Sequence, residues 1–340
     1  MTPRHYDLIV LGESLAGQIA STLLARSGQK VLILGEKTAD EPGAAFSACL
    51  HLQRLLEQLE GHDCLRPPPP SQVLAGSIRL TLHGSTPLPA EVQREFAGDA
   101  GRVAQLLEKL QHIGQGLESA LQECRGLPLW GCGSRWRFAW RRLRRGLTRR
   151  ALARPVVRHL QGFGSESREA LEALFAGLAL CTPGRLTTAE AALLWNATIT
   201  GPGVDSAKLA TLLKRRFGQF HGERGALAEL ESVRGGADRL ESIVLADGTR
   251  CTADHFLLAS RGAASHFPDR DVFPVGETDS EFAACLTGAI SPLLAPSITL
   301  GGASVLHLRL SSSGKRHLLQ ISPLRGSQSP PVEEIMSRLS

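Results

Sequence analysis

The run from Ile9 to Ser21, IVLGESLAGQIAS, holds glycine at the outer positions of a G-x-G-x-x-G loop: Gly12-Glu13-Ser14-Leu15-Ala16-Gly17. Placed between an apolar strand and a helix, this spacing serves one kind of chemistry. It brings the amides at a helix start against the diphosphate of a dinucleotide. The first glycine lets the strand turn sharply into the helix, the middle one lets the main chain approach the diphosphate, and the third lets helix and strand backbones touch. Gly12 and Gly17 meet the outer needs. Ser14 takes the middle position: its hydroxyl can donate to phosphate, but its Cβ takes space and its backbone is expected to need a φ that glycine adopts cheaply. Glu13 adds a negative charge at a helix start that attracts anions. The expected cradle is therefore Gly12, Ser14, Leu15, Ala16 and Gly17, with Glu13 opposing it.

Other residue patterns carry less chemistry. The seven cysteines are scattered and odd in number, with no C-x-x-C pair, which points to reduced thiols rather than disulfides or zinc. The eleven histidines show no H-E-x-x-H spacing, so no metal site is expected. His62-Asp63-Cys64 are neighbours in sequence, and catalytic groups meet by geometry rather than by adjacency.

The elements that must position the loop are legible around it. YDLIVLG (6–12) and KVLILG are near-continuous apolar runs, as parallel strands covered on both faces require, and GQIASTLLARS (17–27) between them is a helix ended by Gly28. A long excursion follows, with a stiff spacer at Pro67 to Pro70 and helical patterns near 91–122. From about 166 the pattern is helical again, broken at Pro183-Gly184. DSAKLATLLKRRFGQF is a further helix, and the residues after it alternate as a β-meander with turns at Gly235-Gly236 and Asp247-Gly248. A last hairpin is expected in ASVLHLRLSSSGKRHLLQIS. Phe282 to Leu306 are 25 residues without a formal charge, but prolines and glycines interrupt them, so a buried sheet or pocket lining is expected rather than a spanning helix.

The chain has 340 residues, 42% hydrophobic and 21% charged, enough for a sizeable core and two domains. Its first residues run straight into a strand pattern without an apolar leader, the pattern of a cytoplasmic chain.

Three sections resemble the superfamily of FAD-dependent amine oxidases and phytoene desaturases, the phytoene desaturase-like branch best. They are DLIVLGESLAGQIASTLLARSGQKVLIL, LFAGLALCTPGRLTTAEAALLW, and LATLLKRRFGQF with LAELESVRGGADRLESIVLADGTRCTADHFLLAS. The resemblance implies an α/β fold: a discontinuous Rossmann-like FAD/NAD(P)-binding domain of the GR2 type at 1–48 and 204–264. An inserted α+β substrate domain would take 49–203 and 265–340. It implies FAD as cofactor and hydride transfer from an apolar small molecule to the flavin. The family keeps its ribose-binding glutamate 23 positions beyond the first glycine; here that position is Gly35, and the acid follows at Glu36, beside Lys37. A shift of one residue along a strand turns a side chain to the other face. Leu230 stands where a family valine contacts the adenine through its main chain. The family's closing segment over the flavin has no counterpart before Ser340, so a protein partner that supplies it is one expectation. A relative that keeps the fold without catalysis, serving as an interaction or membrane-docking subunit, is the alternative function. The family has no fixed acid or base motif matched here, so no catalytic residue is assigned.

Net charge is +5 and unevenly spread: between Glu123 and Glu166 there is no acidic residue, while arginine recurs eleven times from Arg125 to Arg158. In RWRFAWRRLRRGLTRRAL, Trp136, Trp140, Leu143, Leu147 and Ala151 fall on one helical stripe. Three explanations remain open. The stripe could pack on the protein's own substrate domain; it could dock on an anionic membrane surface through Arg135, Arg137, Arg141, Arg142, Arg144 and Arg145, making the chain peripheral to a membrane; or the arginines could meet an acidic partner. No nucleic-acid motif accompanies them, and nucleic acid is not expected.

Overall fold

A computed structural model describes residues 4–36, 45–124, 131–235, 240–260, 282–287, 294–302, 305–313 and 316–323. The chain divides into two compact units. The first takes Met1–Gly43, Leu59–Cys64 and Asp205–Gly276; the second takes Ala44–Gln58, Leu65–Val204 and Glu277–Ser340.

The first unit runs β1 (Arg4–Leu11), α1 (Leu15–Arg26), β2 (Val31–Gly35), α2 (Ser206–Gln219) and β3 (Glu223–Ala226). An antiparallel meander follows: β4 (Leu230–Gly235), β5 (Leu240–Leu245) and β6 (Arg250–Leu258). The sheet order is β3-β2-β1-β6-β5-β4, and β1 lies parallel to both β2 and β6. The chain fills one side of β1 with β2 and β3 and then crosses to the other side with β6, which makes the β1/β6 junction a topological switch point. This is the Rossmann-like α/β fold expected from the strand and loop patterns.

Both faces of the central strands are covered, which explains their unbroken apolar runs. Leu8, Val10, Val31 and Ile33 pack with Ala25 of α1 and Phe217 of α2. Ile9, Leu11, Leu32 and Leu34 pack with Leu227, Leu230, Ile243 and Cys251 on the meander side. Each helix starts on a side-chain cap, which satisfies an amide that has no partner inside the helix. Ser14 accepts from Gly17 N at 3.2 Å, and Asp205 accepts from Lys208 N at 3.1 Å.

The second unit centres on another six-stranded sheet, in the order Phe282–Thr287, Arg316–Pro323, Leu306–Ser313, Ser297–Leu300, Ser71–Ala75 and Ile78–Leu82. All its pairings are antiparallel except that of Ser297–Leu300 with Ser71–Ala75. The charge-free stretch from Phe282 thus supplies two strands, and the expected last hairpin is present. No helix among the described residues is long and apolar enough to cross a membrane. The hairpin of Ser71–Ala75 and Ile78–Leu82, turning at Gly76 (φ +55°), lies inside the excursion where only helices and a spacer were expected.

Helices cover this sheet closely. Helix Ser165–Ala179 meets it at Gly177, where a Cβ would stand 3.0 Å from Thr299 Cβ. Helices Ala100–Gln122 and Thr188–Thr200 cross at Gly114, where a Cβ would lie 2.6 Å from Asn196 Cβ and press on the Ala192 carbonyl. Trp195, 1% exposed, seals the crossing by donating its indole N–H to the Leu107 carbonyl at 3.0 Å. The second of these helices begins with a capping box between Thr187 and Glu190.

Gly114→Ala must separate two backbones that touch and is expected to lower stability by about 1–3 kcal/mol. The measurement is the midpoint of urea unfolding at unchanged slope. Gly101→Ala, in the same helix but facing open space, is the control and should leave the midpoint where it was or raise it slightly.

Candidate functional site

The carboxyl ends of β1, β2 and β6 lie side by side. Gly12 N donates to Leu34 O at 2.8 Å, and Ala259 N donates to Leu11 O at 2.7 Å. Gly12 turns the chain with φ +100°, and a Cβ on it would sit 2.6 Å from Ser260 N while striking that residue's side chain. At Gly17 a Cβ would stand 2.6 Å from Ala259 Cβ. Two physical demands of a dinucleotide loop, the sharp turn and the close backbone approach, are both realised at these glycines.

Ser14 carries no strain. Its φ of −62° and ψ of 152° are ordinary extended backbone, so the expected need for glycine at the middle position does not arise. Its hydroxyl oxygen turns back to cap Gly17 N, which leaves the hydroxyl proton for another acceptor. Leu15 and Ala16 occupy the first turn of α1, where amides lack an acceptor inside the helix and the helix dipole is positive.

Glu13 does not point at the helix start as a lone charge. Its carboxylate lies over Gly35 at the end of β2, with Cδ 3.1 Å from where a Cβ on residue 35 would be. There it pairs with the Arg224 guanidinium of β3, and both side chains are largely buried, at 18% and 24% exposure. Burial holds the Arg224 pKa below the usual guanidinium range. The pair is electrically neutral, so the repulsion expected between Glu13 and a diphosphate is cancelled locally. Gly35 is the reason the carboxylate fits: any larger residue would occupy its place.

Glu36 is engaged elsewhere. It accepts a hydrogen bond from the Ser260 hydroxyl and so closes the gap between the ends of β2 and β6. Lys37 lies outside the described residues. Leu230 opens β4, 5% exposed and packed against Leu11, Leu34 and Ile243, with its N–H on the Leu227 carbonyl. The structure therefore gathers Gly12, Glu13, Ser14, Leu15, Ala16, Gly17, Gly35 and Glu36 at the strand ends, while Leu230 belongs to the meander. Arg224 and Ser260 join the site with no motif to announce them; each lies more than 200 positions from the residue it bonds. His62–Cys64 form one 3₁₀ turn, and burial pushes the Cys64 thiol pKa up, away from a nucleophile's.

These features fit a diphosphate-bearing nucleotide: a glycine turn, a capped helix start with first-turn amides, a neutralised acid and a carboxylate at the end of β2. The sequence matches no family profile, and no curated protein is similar to it in sequence. Solved structures are similar in architecture. One is a Rab GDI from Plasmodium falciparum, 12% identical over 99% of this chain and 86% of that one, with a TM-score of 0.57. A protein from Pyrococcus furiosus is 14% identical over 97% of this chain and 82% of its own, also at 0.57. A triple mutant of putrescine oxidase, redesigned in its cofactor binding, is 12% identical over 100% of this chain and 78% of its own, at 0.52. At such identities the likeness is one of fold, the Rossmann-like α/β fold, shared here by an oxidase and by a Rab GDI.

Proposed function

We propose that the chain binds FAD at the head of α1 and works as a flavoprotein oxidoreductase of the amine oxidase and phytoene desaturase kind, taking hydride from an apolar small molecule. The observation that carries this is the meeting of three strand ends at the switch point, with the Gly12 turn and the Ser14-capped helix start intact. The amides of Leu15 and Ala16 and the Ser14 hydroxyl would hold the diphosphate. The Glu13 carboxylate, standing over Gly35, would accept from the ribose hydroxyls in place of the acid that Gly35 lacks, with Arg224 as its positioning residue. FAD, when bound, supplies the hydride acceptor, and the fold supplies its placement. The fold shared with putrescine oxidase and the resemblance of the glycine loop and meander support this assignment.

One observation favours a second reading. The Glu13–Arg224 pair fills the corner above Gly35, and Ser260 already engages Glu36. A chain in which those bonds stay closed keeps the fold, binds no flavin and serves as an interaction subunit.

The full chain, purified without added cofactor, is expected to be yellow, with absorbance at about 450 nm that denaturation releases into solution. A colourless protein that stays colourless after incubation with FAD establishes the second reading. Affinity of the Glu13 variants separates the two further. If Glu13 holds the ribose, Glu13→Gln weakens FAD binding about 10- to 150-fold, the worth of one charge-assisted hydrogen bond. If the pair is a plug, the double variant Glu13→Ala/Arg224→Ala binds FAD more tightly than the natural chain.

A further inference from the structure

Helix Gly131–Arg144 buries none of its residues. Trp136 is 67% exposed, Trp140 46% and Leu143 57%, so three of the six exposed large apolar side chains among the described residues sit on this one helix. The two indoles stack at 5.9 Å between centroids with planes 10° apart, and the Arg144 guanidinium lies 5.4 Å from the Trp140 ring centre. The opposite side of the helix is spent on the protein itself. Arg141 and Arg145, one turn apart, both pair with Glu123 just beyond helix Ala100–Gln122. Leu147 closes on Gly116 of that helix, 3.1 Å from where a Cβ would be. The packing explanation holds at Leu147 but not for the rest of the stripe: Arg141 and Arg145 face inward to a carboxylate, and Trp136, Trp140 and Leu143 face away.

Exposed tryptophan flanked by arginine suits one environment in particular. Indole rings settle at the headgroup level of a bilayer, while guanidinium groups pair with lipid phosphate and their aliphatic stems lie along the apolar boundary. At 100° per residue, Arg137 and Arg144 flank the stripe on one side and Arg135 on the other. Glu123, the acid that this end of the helix reaches, already pairs with two arginines, and residues 124–165 contain no acid at all. We propose that helix Gly131–Arg144 lies in the headgroup layer of an anionic phospholipid surface, with Trp136, Trp140 and Leu143 toward the acyl boundary and Arg137 and Arg144 on lipid phosphates. This does not depend on whether the chain binds FAD.

The test is flotation of the full chain with vesicles of phosphatidylglycerol and phosphatidylcholine in equal parts, against vesicles of phosphatidylcholine alone. Binding is expected to the first only, weakening as salt rises. Tryptophan emission should shift to the blue on binding and be quenched by lipids brominated in the upper part of the acyl chain. Arg137→Gln/Arg144→Gln should lower the partition coefficient about 30-fold, at about fivefold per arginine, and Trp136→Ser/Trp140→Ser should abolish the blue shift. These side chains are exposed, so the variants should keep the natural melting temperature, which is measured alongside. Failure to float with anionic vesicles overturns the proposal, as does equal binding to neutral ones or undiminished binding by the tryptophan variant. A tryptophan-dependent dimer that ignores vesicles, or tighter binding to an RNA oligonucleotide than to vesicles, assigns the face to another occupant and equally overturns it.

Discussion

The first unit depends on how closely three strand ends approach one another. Gly12 has the Ser260 backbone against it, and Gly17 has Ala259 against it. Neither position has room for a single extra carbon, and Gly12 also adopts a backbone angle that side chains rarely take. The turn from β1 into α1, the pairing of β1 with β6 and the mouth of the switch point all follow from that contact. Cores are packed to the density of organic crystals, so a carbon added here displaces a strand rather than filling a void.

The consequence for charge is less obvious. Once the loop is drawn tight, the side chain after Gly12 must leave sideways, and the absence of a side chain at Gly35 gives it somewhere to go. Glu13 therefore travels to the end of β2 and finds Arg224 on β3. Removing either partner would strand a largely buried charge, which costs several kcal/mol more than breaking an exposed pair. A residue that reads in isolation as hostile to an anion becomes half of a neutral pair.

How far the molecule was legible varies with the range of the interactions. β1, α1, β2 and α2 announced themselves because apolar runs, a cap residue and a terminating glycine are local signals. The meander and the last hairpin were legible for the same reason. The hairpin Ser71–Ala75 with Ile78–Leu82 was not, since its strands are five residues long and its parallel neighbour lies more than 220 positions away. The site divides in the same way. The glycine turn could be read from spacing, whereas the partners of Glu13 and Glu36 come from strands that meet them only in the folded sheet. Helix Gly131–Arg144 was visible as an amphipathic pattern, but its orientation was decided by Glu123, whose pairing with Arg141 and Arg145 no periodicity contains.

The pairing of β1 with β6 also constrains how the protein is made. His5 and Thr252 are neighbours across that pair and 247 positions apart in the chain. During synthesis the amino-terminal strand is complete long before its partner on one side exists, and its bare edge is a template for mispairing until β6 emerges. The first unit can close only after most of the second has left the ribosome, so a nascent chain passes through a stage in which Leu8 to Leu11 need shelter from other strands. Slow assembly through distant pairings is the kinetic counterpart of a domain whose sequence is split in three.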